Sequence, residues 1–301
     1  FKGDFMSKEL NSHLIIILAT FLVGGSFVIS QKLSGIIDPI SITLLRFVIA
    51  SLVLVPIIFL NQNYRKKLIP TFNRAMIISF FYSLFFIGLF KALEYTTALN
   101  TGTIFTLVPF ITAVFSIFIF NQKISLMSYL VYFIGIIGTS MVVFRGNLEL
   151  FISLSLNNGD IIFLLAIFSM ALYSICMKYF HKEDDELIVL VFMTLFGGVI
   201  WMSLSLIIFD IPLNWTKIGT EEFLYIIYLS ILATLVTSYL YQRGTIFLGP
   251  KKVMAYIYLN PTAIVIISFL SGLEKINLFM LLGILISALA TFILLYKNKN
   301  I

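Results

Sequence analysis

The chain is poor in the residues on which soluble proteins depend. Charged residues make up 11% of its 301 positions, against about 25% in an ordinary soluble domain. Its single cysteine, Cys176, excludes an internal disulfide. The two histidines, His13 and His181, stand far apart near predicted helix ends. A protein-held metal usually needs three or four clustered ligands, so neither a metal nor a cofactor is expected. No phosphate loop of the form G-x-x-x-x-G-K-[ST] occurs, which argues against ATP hydrolysis of that kind. Converging His, Asp or Cys groups near one interface, the mark of a membrane-embedded enzyme, are missing from the sequence, and no stretch is long enough for a soluble sensory domain.

What the chain has in abundance is long apolar runs. Hydrophobic residues account for 60% of positions, and the mean hydropathy is +1.06. A helix needs about 20 apolar residues to cross the ~30 Å hydrocarbon core of a bilayer, and about ten such runs follow one another. Membranes admit helix bundles and closed barrels. Barrel strands alternate apolar with polar residues, whereas runs such as 14–22 and 284–295 are apolar on every side. The expected fold is an all-α membrane protein with spans at 12–33, 39–60, 73–95, 98–120, 126–145, 159–180, 187–209, 222–242, 249–271 and 277–296. Residues Phe1 to Phe5 precede Met6 and are set aside as an extraneous leader. The first run reads as a retained span rather than a signal peptide.

Lysine and arginine set the expected orientation, because they gather in cytoplasmic loops. With the amino terminus in the cytoplasm, fourteen fall on the inner side and four (Lys32, Arg145, Lys217 and Lys275) on the outer side. Both termini are therefore expected in the cytoplasm of a multi-pass inner-membrane protein. The net charge of +6 is read as contact with anionic membrane lipids, not with nucleic acid.

An internal repeat is visible. Leu107-Val108-Pro109-Phe110 in the fourth span matches Leu259-Asn260-Pro261-Thr262 in the ninth, and Gln122-Lys123 matches Glu274-Lys275 at the same offset of 152. Lys91 matches Arg243 at that offset, and Lys32 matches Lys178 at 146. The stretch 146–158, with Gly146, Asn147, Asn157 and Asn158, falls near the midpoint and divides the chain into units at 12–145 and 159–296. Five spans per unit is an odd number, so the expected architecture is ten transmembrane helices in two inverted five-helix repeats. Many secondary transporters have this layout, with the solute bound near the midplane between the halves.

These residues resemble a ten-helix member of the drug/metabolite transporter superfamily, in the EamA-like group. The resemblance covers His13 to Tyr296 as two EamA-like units. It is carried by Arg46-Phe47, by Ala92-Leu93-Glu94-Tyr95-Thr96-Thr97-Ala98 ahead of Pro109, by the stretch from Gly249 to Pro261, and by Glu274 and Gly283. Gln122 stands where the family often has glutamate, and the seventh span has no counterpart of Arg46-Phe47. The resemblance implies an inner-membrane carrier that moves a small organic metabolite, often outward. A channel or lipid-scrambling protein of the same architecture is the alternative. A small-molecule solute and membrane lipids are the expected partners, and a monomer would suffice.

Arg46 is the sharpest candidate residue. It sits seven residues below Pro39, or ~10 Å of helix rise. A charge at helix centre costs about 2.5–3.5 kcal/mol on insertion scales, so it should face protein or a wet cavity. Lys91 and Glu94 share one face of the third span at i, i+3. With Arg46 they form a candidate gate that could also meet an anionic group, or a static charge cluster pinning the second and third spans. Tyrosines inside spans need hydroxyl partners, which singles out Tyr82, Tyr173, Tyr239, Tyr256 and Tyr258. Tyr256 and Asn260 stand one turn apart before Pro261. Thr103 and Thr106 precede Pro109, and Thr234, Ser238 and Tyr241 make a stripe in the eighth span. Such groups would line a mostly apolar cavity for an amino acid or similar amphipathic or aromatic solute; the alternative is hydrogen bonding between helices. Pro109 and Pro261 are the expected bend points. The acids lie at span ends, which favours facilitated exchange over an obligatory proton relay.

Overall fold

A computed structural model describes residues 2–33, 35–147, 149, 157–273 and 275–297. Glu274, Lys299 and most of the stretch 148–156 lie outside the described residues, as do the side chains of Lys2 and Lys8. Among the described residues there are helices and no strands. Ten helical spans are long and apolar enough to cross a membrane: Glu9–Ser30, Pro39–Leu60, Gln62–Leu93, Asn100–Phe120, Leu126–Val143, Asn158–Tyr179, Leu187–Ile208, Thr220–Leu248, Pro250–Leu270 and Leu278–Tyr296. They are numbered first to tenth. The face on which the first span begins is called the near face, and the opposite one the far face.

Two boundaries depart from the sequence expectation. The connection expected at 61–72 is almost wholly helical: Asn61 alone makes the turn, and its side chain accepts from the backbone N–H of Asn63 and Tyr64. That cap starts a 32-residue helix carrying Arg65, Lys66 and Lys67 in its first turns, polar enough to sit beyond the hydrocarbon. Residues 2–5, set aside as a leader, continue the first helix.

Large apolar side chains such as Leu52, Leu165, Leu285 and Phe292 are exposed on the outside of the bundle, as lipid-facing positions must be. The main packing pairs map onto themselves when the two sets of five spans are exchanged. The third span packs on the sixth and seventh, as the eighth packs on the first and second. The fourth packs on the sixth, as the first packs on the ninth. The second meets the seventh, the fourth the ninth and the fifth the tenth, each pair joining equivalent spans. Five spans per repeat reverses the direction of the second set through the membrane, so the bundle is built from two inverted five-helix repeats.

Small residues allow the closest approaches. A Cβ at Gly24 would stand 2.9 Å from the Ala263 Cβ, and one at Gly198 would stand 2.8 Å from the Phe47 ring. The two prolines interrupt equivalent spans at equivalent points. The fourth span consists of helices Ala98–Phe105 and Val108–Phe120. Between them Thr106 and Leu107 bond back to the carbonyls of Thr103 and Ile104, the tighter three-residue step. In the ninth span a 3-10 turn at Tyr256–Leu259 precedes helix Asn260–Leu270. Proline lacks the N–H that would continue the α-helical ladder and its ring crowds the preceding turn, so the backbone tightens before each one.

Candidate functional site

The eighth span is interrupted in its middle. Residues Ile231–Val236 form a π-helical turn between helices Thr220–Ser230 and Thr237–Leu248. Thr234 holds this turn: its hydroxyl donates to the Leu229 carbonyl five residues back, at 2.7 Å. The oxygen keeps a lone pair free, which accepts from Arg46 Nε of the second span at 3.0 Å. Such turns recur at functional sites because they displace one side chain from its regular helical position.

Arg46 is 8% exposed, with its guanidinium 5.9 Å from the centroid of the Phe86 ring. Its two Nη groups have no protein acceptor among the described residues, yet they are not among the sealed polar atoms. They therefore border accessible space. No carboxylate lies within 4.0 Å of the guanidinium among the described residues. Tyr82 is the nearby polar neighbour. Its ring stacks on that of Tyr173 at 4.4 Å and 14°, and it also touches Phe47 at 5.6 Å and Phe86 at 5.1 Å. Ser238 lies beside the Tyr82 hydroxyl, and Gln242 and Tyr241 lie beside Tyr173. Gln242 Nε2 donates to Thr194 of the seventh span at 3.2 Å, while its Oε1 is sealed without a protein partner. A polar line thus runs through an aromatic interior, from Arg46 toward the far face to Gln242 toward the near face.

Of the sequence candidates, Arg46, Tyr82, Tyr173 and Ser238 come together here, and Tyr239 is half-buried against the same core. The others are elsewhere. Lys91 bonds Glu94 at 2.7 Å and stands 4.7 Å from the Phe209 ring centroid, apart from Arg46. The Thr106 hydroxyl closes on the Thr103 carbonyl at the fourth-span break. Tyr258 is fully buried and donates to the Tyr132 carbonyl at 3.0 Å, joining the ninth and fifth spans. The Tyr256 hydroxyl meets His13 Nδ1 at 2.8 Å, and the Asn260 Oδ1 is sealed without a protein partner in the ninth span. Thr194 and Gln242 were not singled out by sequence. Neither carried a clear signal: Gln242 closes the expected eighth span beside Arg243, and Thr194 is a lone threonine in an apolar run.

Charged clasps close the near face. Arg74 forks onto Asp185 with bonds of 2.6 and 2.7 Å and also donates to the Phe180 carbonyl, tying the third span to the connection between the sixth and seventh. Lys252 reaches Glu9 at 3.2 Å, tying the ninth span to the first. Burial pushes the Asp185 carboxyl up, but the Arg74 bond, the Lys182 amide and the charges of Arg74 and His181 outweigh it and hold it below the usual carboxylate range. A depressed carboxylate stabilises the fold above its unfolded pKa of about 3.9, and this contribution fades as pH falls through the lower folded value. The unfolding midpoint of the wild type should exceed that of Asp185→Asn at neutral pH, and the gap should close on acidification. A gap that persists unchanged into strong acid would refute this role for the clasp.

A ten-span bundle of two inverted repeats, with a polar line through its centre, is the build of a membrane transporter. The chain belongs to the EamA-like transporter family, which it matches over residues 10–144 and 157–296. It is 26% identical to the uncharacterized transporter YyaM of Bacillus subtilis (strain 168) over 92% of this chain and 90% of that one. An uncharacterized transporter of Archaeoglobus fulgidus is 23% identical, over 96% of this chain and 99% of that protein. A solved crystal structure shares the fold, with a TM-score of 0.76 at 16% identity over 97% of this chain and all of the other.

Proposed function

We propose that this transporter is a secondary carrier. It moves a small amphipathic or aromatic organic metabolite across the cytoplasmic membrane by alternating access, in export or exchange. The observation that carries this reading is the Arg46–Thr234 bond at a π-turn beside the Tyr82–Tyr173 stack. It combines a held charge with a flat aromatic wall, and a few polar groups set among apolar side chains mark solute sites. The charge distribution in the loops supports a cytoplasmic position for both termini. The absence of acids from the middle of the spans supports exchange rather than proton coupling. In this reading the near-face clasps open when the repeats rock about the centre, with the interrupted fourth and ninth spans as bending elements.

Reconstituted into liposomes, the protein should show saturable flux that is stimulated by solute on the opposite side. Flux linear in concentration would favour a pore or scramblase instead. Pro109→Ala and Pro261→Ala should restore helical hydrogen bonds and stiffen both spans, lowering flux severalfold while leaving membrane expression near wild type. Unchanged flux in both variants would remove the bends from the mechanism.

A further inference from the structure

The charge balance of the site narrows the solute class, given the carrier reading above. Among the described residues the bundle interior holds one guanidinium, and the acids lie at span ends or in connections. Arginine keeps its charge in proteins. Its Nε is committed to Thr234, and its central carbon stands 5.9 Å from the centroid of the Phe86 ring. What remains is the planar fork of the two Nη groups, which bonds a carboxylate through two parallel N–H···O contacts. The same low-dielectric setting makes an uncompensated second charge unfavourable. A dianion such as phosphate would bring one charge too many for a lone guanidinium, and a cationic amine would meet a like charge with no carboxylate to hold it.

We propose that Arg46 binds the carboxylate of a small monocarboxylic acid whose aromatic or apolar body rests against Phe86 and Tyr82, and that the site rejects amines. Phe86 is half-buried and meets Tyr82 edge to face at 5.1 Å, an aromatic surface of the kind that aromatic solutes pack against; the Tyr173 stack backs it. Thr234 is a positioning residue: its doubly used hydroxyl fixes the guanidinium plane and so aims the fork.

The test uses the full-length protein in detergent and three probes of nearly equal shape: phenylacetate, phenylacetamide and phenethylamine. Phenylacetate should raise the unfolding temperature and bind about tenfold to a hundredfold more tightly than the other two, the span expected for hydrogen bonds to charged groups. Arg46→Gln should abolish that preference, bringing phenylacetate down to the affinity of phenylacetamide. If Arg46→Gln fails to fold, the three-probe comparison on the wild type decides alone. Equal or tighter binding of the amide or the amine overturns the proposal, and so does the absence of any response to phenylacetate. The carrier reading fails differently. Phenylacetate would then bind in an Arg46-dependent way yet show no saturable flux in proteoliposomes, whereas saturable flux of a neutral or cationic solute surviving in Arg46→Gln would sink the carboxylate site and leave the carrier standing.

Discussion

Gly138→Leu should leave little folded protein. The fifth and tenth spans cross at this glycine with their backbones in contact. A Cβ at Gly138 would stand 2.7 Å from the Ser287 backbone nitrogen, and one at Gly283 would stand 2.7 Å from the Gly138 carbonyl oxygen. Neither neighbour is the end of a flexible side chain, so no rotamer change can make room and the two helices must separate. Overpacking a core costs about 1–3 kcal/mol when side chains can adjust, and the upper end or beyond is expected where backbone meets backbone. Lipid tails already solvate the outer faces of these helices, so close packing is a principal source of their association. Gly138→Ala should lower the unfolding temperature, and Gly138→Leu should shift the detergent-extracted protein into aggregates on size exclusion. A monodisperse Leu variant with wild-type stability would show that the two spans do not approach this closely.

Asp160→Ala is expected to be the most destabilising change of a polar residue. This carboxylate is fully buried at the start of the sixth span. It accepts from the Thr96 hydroxyl at 2.5 Å, from Asn100 Nδ2 at 3.2 and 3.1 Å, and from the Asn157 backbone N–H at 2.9 Å. The Asn157 side chain accepts in turn from the Asp160 N–H at 3.1 Å, completing a capping box. One side chain thus ties the sixth-span terminus to the turn before the fourth span and to the first helix of that span. Alanine leaves the half-buried Asn100 amide and Asn157 N–H without this acceptor. Each such loss costs about 1–3 kcal/mol, so a total near ~3 kcal/mol is expected. Asp160→Asn keeps the volume and one acceptor and should fall between alanine and wild type. Thermal unfolding of the three proteins in one detergent checks the order; an alanine variant as stable as wild type would mean the network is rearranged without loss.

Asp160 also shows where sequence reading loses its grip. In the sequence it is one of several acids at span ends, and locally only the Asn157-x-x-Asp160 capping pattern separates it from Asp38 or Asp210. Its importance comes from Thr96 and Asn100, about sixty positions earlier. Arg46 was conspicuous because a charge in an apolar run is unfavourable in lipid whatever its neighbours. Its grouping with Lys91 and Glu94 rested on depth along separate helices, and depth says nothing about rotation: Arg46 turns to the eighth span, while Lys91 and Glu94 pair with each other. Tyr258 and Tyr82 looked alike as tyrosines inside spans, yet one packs on Gly135 and bonds the fifth span, and the other stacks in the centre. The π-turn at Ile231–Val236 left no mark in the sequence, because it arises from how Thr234, Leu229 and Arg46 meet.

The sequence by itself determined the number of spans, the all-helical fold and the inverted duplication. Each of these follows from local properties: twenty apolar residues in a row and an odd count per repeat. Tertiary structure alone decided which polar side chains meet in the interior. The reason lies in the solvent. A helix in water marks its buried face with an apolar stripe, but a helix in lipid is apolar outside as well as inside, so facing and register are set by packing between spans distant in the chain.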